Sequence, residues 1–422
     1  MRIVVHTINY SPELTGIGKY TTEMCEWLAA QGHEVTVVTP PPYYPQWRVA
    51  APHRQWRYSE SQLDGVRVRR APIWIPRRPG GLSRILYELS FALFSFPLLL
   101  SEALRKPGVL MVLQPSFLNS PGAWAAARLS GARAWLHVQD FEIDLAYDLG
   151  QLKRGKSLVA AVESWMLRRF DLVSAISDRM LQRAHAKGAA AEKLFLLPNW
   201  FNPESIFPMR EPSHFRARLG LPAESFVALF AGSLGAKQGL EMLIHAARLL
   251  SDLPLYFVIC GEGVAGQPLR QEAHRLGNVR FLPLQPVTEL NALLNLADVH
   301  LLPQRKGAAQ SVFPSKLIGM LASGRPVLAM SEPGSEVAAL VEGCGLRVDH
   351  EDVQGFADAI RNLVGNQEER QAMGRAARAR ALERFRQEAV FAAMQAELLS
   401  PGRLAWESDL AESRRALRRP SY

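Results

Sequence analysis

Cysteine is nearly absent: Cys25, Cys260 and Cys344 are the only three in 422 residues. They are far apart, odd in number and without C-x-x-C spacing. That argues against a disulfide framework or a zinc site and fits a reducing compartment. They read as small buried hydrophobes. No low-complexity tract interrupts the chain. Hydrophobic residues at 48% and charged residues at 21% describe a globular composition. The segment from Arg2 to Ile8 lacks the charged region and long apolar core of a secretory signal and reads as a strand. A cytoplasmic location is expected.

Acidic residues are in deficit, and the deficit is lopsided. Residues 1–200 carry 24 Lys and Arg against 16 Asp and Glu, whereas residues 201–422 carry 25 against 24. The N-terminal half is therefore expected to face something anionic: a membrane surface, a phosphorylated lipid or nucleic acid.

At this length two domains are expected. Ile3-Val4-Val5, a helix from Tyr20 to Gln31 and Val35-Thr36-Val37-Val38 form a βαβ unit, which predicts a parallel sheet. Further strands read at 66–69, 109–112, 134–138, 172–176 and 194–197. A Pro-rich stretch from Pro198 to Pro212 then suits a linker. The pattern restarts at 226–230, with strands at 255–259, 279–282, 299–302 and 327–329 and a closing helical region over about 368–399. Two successive doubly wound α/β domains are the simplest reading.

Three loops carry candidate chemistry. Gly16-Ile17-Gly18 stands before a helix, where free N–H groups favour an anion, although a tight turn explains it as simply. It follows its strand too late for a dinucleotide fingerprint, and the next strand ends at Thr39-Pro40 without a ribose-binding acid. Gly232-Ser233-Leu234-Gly235-Ala236-Lys237-Gln238 again joins a strand to a helix. A diphosphate would rest on its amides, with Lys237 adding charge or standing in solvent. The stretch from Gln304 to Lys316, with Arg305, Lys306 and Ser315, gathers cations before a helix, which suits a departing diphosphate or an exposed basic loop. Asp140, just past the strand 134–138, is a candidate to orient or deprotonate an acceptor hydroxyl, or a structural cap. The apolar segment 82–100 includes Leu86, Leu89, Phe91, Leu93 and Phe94. Arg77, Arg78 and Arg84 precede Leu89, and Arg105 and Lys106 follow the segment. It reads as a surface-lying helix at an anionic leaflet, or as core beneath the first sheet.

Together, Tyr10-Ser11-Pro12-Glu13-Leu14-Thr15-Gly16-Ile17-Gly18-Lys19-Tyr20, Gly32-His33-Glu34-Val35, Leu197-Pro198-Asn199, Ala297-Asp298-Val299 and Ala322-Ser323-Gly324-Arg325-Pro326-Val327 resemble the motifs of family 4 of the retaining GT-B glycosyltransferases, in the family's order. With Pro41-Pro42-Tyr43-Tyr44-Pro45-Gln46-Trp47 and Pro314-Ser315-Lys316-Leu317, the chain is similar to the branch that assembles colanic-acid-type exopolysaccharide, assigned as fucosyltransferases.

The resemblance implies a GT-B fold of two Rossmann-like domains facing a central cleft. It places an acceptor domain over 1–203, a nucleotide-sugar domain over 204–380, and a helical segment over 381–422 that returns to the first. It implies a metal-independent, retaining hexosyltransferase without cofactor or nucleic-acid partner. GDP-fucose would be the donor, a polyprenyl-diphosphate-linked oligosaccharide the acceptor, and an anionic inner membrane face the working surface. Gly232, Gly235, Lys237, Gln238, Leu284, Gln285, Arg305, Ser315 and Lys316 would hold the donor. Gly16, Gly18, Asp140 and Asn199 would line the acceptor wall, with Asp140, Lys316 and Arg305 in catalysis. The family's two glutamates fall at Ser311 and Gly319, and its usual His at Gln139. Those departures keep two alternatives open: a nucleotide-dependent oxidoreductase or epimerase, and a non-catalytic nucleotide-sugar-binding subunit.

Overall fold

The computed structural model describes residues 1–13, 16–76, 81–114, 117–141, 156–235, 238–305 and 313–400. The chain divides into two units: Met1–Pro198 together with the segment from Phe391, and Asn199–Val390.

Among the described residues, the first unit holds an eight-stranded sheet ordered β3-β4-β2-β1-β5-β6-β7-β8. The strands are β1 (Arg2–His6), β2 (Glu34–Thr39), β3 (Ser59–Leu63), β4 (Val66–Arg70), β5 (Val109–Gln114), β6 (Arg133–Val138), β7 (Leu172–Ala175) and β8 (Leu194–Leu196). All pairs are parallel except β3 with β4. The central strands are continuous apolar runs because helices cover both faces; every residue of β5 is buried. β1 pairs with β2 on one side and β5 on the other, so the order reverses there and a crevice opens beyond its carboxyl end.

Helix α1 (Ile17–Ala30) buries Met24, Cys25 and Leu28, and Gly32 at φ 82° ends the turn that follows it. Helix α2 (Gly81–Ala103) packs through a stripe at helical spacing: Tyr87, Phe91, Ser95 and Leu99 are buried. The Phe391 ring lies tilted against Trp27 with centres 4.9 Å apart, and Arg133 Nη2 meets Glu397 Oε1 at 2.5 Å, which ties the returning segment to this unit.

Strand β3 escapes a hydrophobicity reading because Ser59, Glu60, Ser61 and Gln62 are exposed. It is held as a hairpin by Asp64 and Gly65, both at positive φ, and by Glu60 within 3.3 Å of Arg69.

The second unit has a six-stranded parallel sheet ordered β11-β10-β9-β12-β13-β14 among its described residues. Its strands are β9 (Phe226–Ala231), β10 (Leu255–Cys260), β11 (Val279–Leu282), β12 (Val299–Leu302), β13 (Val327–Met330) and β14 (Gly345–Val348). The order reverses at β9, between β10 and β12. β14 also went unanticipated, because it rests on Gly345, where a Cβ would stand 2.1 Å from the Val327 carbonyl oxygen. The Pro-rich stretch is strapped to this unit: Asn291 Oδ1 accepts from Phe207 N, and Asn295 Oδ1 from Met209 N. The closing region is two helices, Gln367–Phe385 and Gln387–Leu399, broken at extended Arg386. All three cysteines are free and buried.

Candidate active site

The reversal at β9 is where an open α/β sheet binds its ligand. Gly232 leaves β9 at φ 149°, a backbone shape that side chains rarely adopt. Two more glycines after β10 make the turn possible. A Cβ on Gly261 would lie 1.9 Å from the Gly232 carbonyl oxygen, and one on Gly263 2.5 Å from that of Leu234. Gly261 and Gly263 also sit near φ 150°. The reading from sequence overlooked Gly261-Glu262-Gly263; glycines spaced by two beyond a buried strand were the available signal.

Lys316 converges on the same turn. Its Cδ would be 3.5 Å from a Cβ on Gly232, its Nζ donates to Gln238 Oε1 at 2.8 Å, and the ammonium sits 4.2 Å from the centre of the Phe230 ring. No carboxylate among the described residues pairs with it. Burial pulls its pKa from the ordinary lysine range to about 7. The chain thus places a partly buried cation, without a carboxylate partner among the described residues, beside a glycine turn.

Arg305, beyond β12, is more exposed, and its Nη2 holds Glu241 Oε1 at 2.6 Å. A Cβ on Gly239 would lie 3.4 Å from Arg305 Cγ, so this loop touches the end of the Gly232 loop. The structure therefore brings Gly232, Gln238, Arg305 and Lys316 together. Gly235 lies on the same turn, and Ser315 immediately precedes the helix Lys316–Ala322 without a capping side-chain bond. Leu284 and Gln285 follow β11, two strands away at the same end of the sheet. Leu284 is exposed, and Gln285 is tied to Pro283 O and Arg218. Lys237, Lys306 and Ser311 lie outside the described residues.

In the first unit, Gly16 at φ 59° opens α1, with no side chain capping the first turn. A Cβ on Gly18 would stand 2.6 Å from the Glu13 carbonyl oxygen, so glycine lets the loop close over the helix. Glu13 is buried, accepting from Tyr43 N and Tyr44 N, both at 2.8 Å, and from Asn9 Nδ2. Burial raises its pKa against the effect of these donors. Arg70 ties the same region by donating to Pro40 O and Ser11 O. Glu13 and Arg70 organise this loop, a role that only their partners reveal.

Asp140 is partly buried and emerges from β6, one strand beyond β5, at the end of the sheet where the Gly16–Gly18 loop leaves β1. Asn199 is buried at the first position of the second unit, after edge strand β8.

The comparisons with known proteins agree with this architecture. Residues 15–200 match the family described as "Glycosyl transferase 4-like domain", and residues 213–380 match "Glycosyl transferases group 1". The chain is 42% identical over 376 residues to the "Putative colanic acid biosynthesis glycosyl transferase WcaI" of Escherichia coli, covering 86% of this chain and 92% of that protein. The chain belongs to the GT-B glycosyltransferases.

Sucrose-phosphate synthase of Thermosynechococcus elongatus shares the fold of this glycosyltransferase, with a TM-score of 0.74 at 18% identity over 94% of this chain and 97% of that one. So does Alr3699/HepE of Anabaena in complex with UDP-glucose, at 0.68 and 17% over 95% and 100%. The resemblance sets a family glutamate at Gly319 of this glycosyltransferase, on the helix that Lys316 opens. A Cβ on Gly319 would meet Leu294 Cδ1 at 3.4 Å and Ile206 Cδ1 at 3.8 Å, so the surroundings of that glutamate position are apolar here.

Proposed function

We propose that this chain is a retaining, metal-independent hexosyltransferase of exopolysaccharide assembly. It moves fucose from GDP-fucose to an oligosaccharide on a polyprenyl diphosphate. The unpaired Lys316 ammonium against the Gly232 turn carries the reading, because that arrangement suits a diphosphate whose charge grows as it leaves. The sugar and pathway rest on the motif resemblance and on the relative named for colanic acid biosynthesis.

In the reaction, the bond from the anomeric carbon to the diphosphate oxygen breaks. The acceptor oxygen bonds to that carbon on the same face, and its proton passes to the departing diphosphate. Lys316, with Arg305 beside it, stabilises the leaving charge, so no paired carboxylates of the glycosidase kind are required. Asp140 orients the acceptor hydroxyl.

The purified chain should turn over GDP-fucose with a lipid-linked acceptor, and calorimetry should detect GDP but not nicotinamide cofactors. Asp140→Asn should lower transfer while leaving GDP affinity unchanged. Binding without turnover would instead favour a non-catalytic subunit, and an equal loss of GDP affinity in the Asp140 variant would remove Asp140 from the acceptor side.

The same reading puts the enzyme on an anionic membrane surface. Segment Ser83–Ala103 is apolar enough by length and composition to span a bilayer, yet one face of α2 is core. Phe91 is fully buried, whereas Leu86, Leu89 and Leu93 are exposed, Leu93 at 69%. Exposed Trp56 meets Phe94 of α2 at 6.2 Å between ring centres, and exposed Arg54 and Arg57 flank it. An apolar ridge edged by cations suits partial insertion without crossing. Replacing Leu86, Leu89 and Leu93 with Gln should release the protein from anionic liposomes and leave its melting temperature and soluble-acceptor activity intact. Undiminished liposome binding would disprove this face. Phe91→Ser is the wrong probe, because it opens the core.

A further inference from the structure

A cavity of about 420 Å³ lies in the second unit at the end of the sheet opposite the donor loops. Asp298 precedes β12 and Pro326 precedes β13, so the cavity opens where strands enter the sheet, while Gly232 and Arg305 stand where they leave. Four arginines line it: Arg325 from the turn before β13, and Arg370, Arg375 and Arg378 from the helix Gln367–Phe385. Gly324 and Gly374 bring the two together, since a Cβ on Gly374 would lie 2.3 Å from the Gly324 carbonyl oxygen.

Among the described residues, none of these guanidiniums has an ion-pair partner. The one carboxylate lining the cavity, Asp298, is committed elsewhere: its Oδ2 accepts from Arg216 Nη2 and Val227 N, both at 2.9 Å. Arg378 Nη1 is anchored on the Ile206 and Ala322 carbonyls, and Arg370 Nη1 on those of Leu363 and Val364. These bonds hold two of the forks in place and leave the other nitrogens of each without a hydrogen bond. Arg325 Nε is buried without any partner. Burial holds Arg325 below the usual arginine pKa, with Asp298 opposing that shift. Four cations thus surround a single carboxylate whose Oδ2 is already bonded to Arg216 and Val227, which leaves net positive charge at the cavity that an anion would offset.

We infer that this cavity is a second anion site, distinct from the donor loops, which takes a phosphate-bearing small molecule. Planar guanidinium forks match phosphate oxygens two at a time, and the volume exceeds that of a lone ion and falls in the range of small-molecule sites. The occupant would bridge the turn before β13 to the helix Gln367–Phe385.

Titration calorimetry of the full chain with inorganic pyrophosphate tests this at physiological salt. Binding should persist in Lys316→Ala, which lacks the donor-loop cation. It should weaken at least tenfold in Arg325→Gln/Arg375→Gln, and measurably in Arg375→Gln alone, an exposed position whose replacement leaves the fold intact. GDP affinity should be unchanged in both arginine variants. Loss of all pyrophosphate binding in Lys316→Ala would overturn the proposal. So would unchanged binding in both arginine variants, or binding only at tens of millimolar. Retention on phosphatidate vesicles through these arginines, without pyrophosphate binding, would overturn the small-molecule assignment.

Discussion

Replacing Lys316 with Ala is expected to cost about 2–4 kcal/mol of transition-state stabilisation, the scale of one lost charge-stabilising donor, read as a fall in kcat/KM. The size follows from the setting. The ammonium is partly buried, bonded only to a neutral amide and placed against the glycine turn. Arg305→Ala should cost less, since that side chain is more exposed and already shared with Glu241.

The pKa of about 7 adds a signature that a merely structural lysine would not give. A diphosphate next to Lys316 raises its pKa, so above pH 7 binding must take up a proton. GDP affinity should be flat below that pH and fall as pH rises through and beyond it, by up to about tenfold per unit. The apo protein should respond in the opposite sense. The unfolded chain binds this proton up to the ordinary lysine range, so apo stability gains from the site as pH rises above 7. Lys316→Ala turnover within twofold of wild type, or GDP affinity independent of pH from 6 to 9, would remove Lys316 from the donor site.

Gly261→Ala is expected to be the most damaging single methyl group in the second unit. Its φ near 150° belongs almost to glycine alone, at about 1–3 kcal/mol for another residue, and the new Cβ would stand 1.9 Å from the Gly232 carbonyl oxygen. That neighbour is backbone and cannot rotate away. Either the turn shifts, displacing Gly232 from Lys316, or β9 and β10 lose register beyond their last pair, Ala231 with Cys260. We expect a loss of about 3 kcal/mol or more in denaturant unfolding, together with loss of GDP binding. Gly277→Ala, with open space around its Cβ, is the control and should stay within about 0.5 kcal/mol. If the two variants melt together and both bind GDP, the close approach at Gly261 is unimportant.

Most of the parallel framework was legible in the sequence because its strands are buried on both faces. Runs such as Val109–Gln114 and Phe226–Ala231 have no amphipathic alternative. The Gly-rich loops stood out for the same local reason, since glycine is needed where backbone meets backbone. Strand β3 was not legible, because an exposed polar segment becomes a strand only when β4 offers it an edge. The two faces of α2 were not separable either. Phe91 and Leu93 are both apolar, and only packing under the sheet decides that one is core and the other surface.

The sequence by itself determined the repeated βαβ pattern, the two doubly wound sheets and the candidate loops, because hydrophobic periodicity and glycine placement act over a few neighbouring residues. Tertiary structure distinguished the cations. It set Lys316 against a turn 84 positions earlier and left it unpaired, gave Arg305 to Glu241, gathered Gly261 beneath Gly232, and collected four arginines around one cavity. Charge compensation, burial and close approach depend on what lies across space, and no local window of the chain contains them.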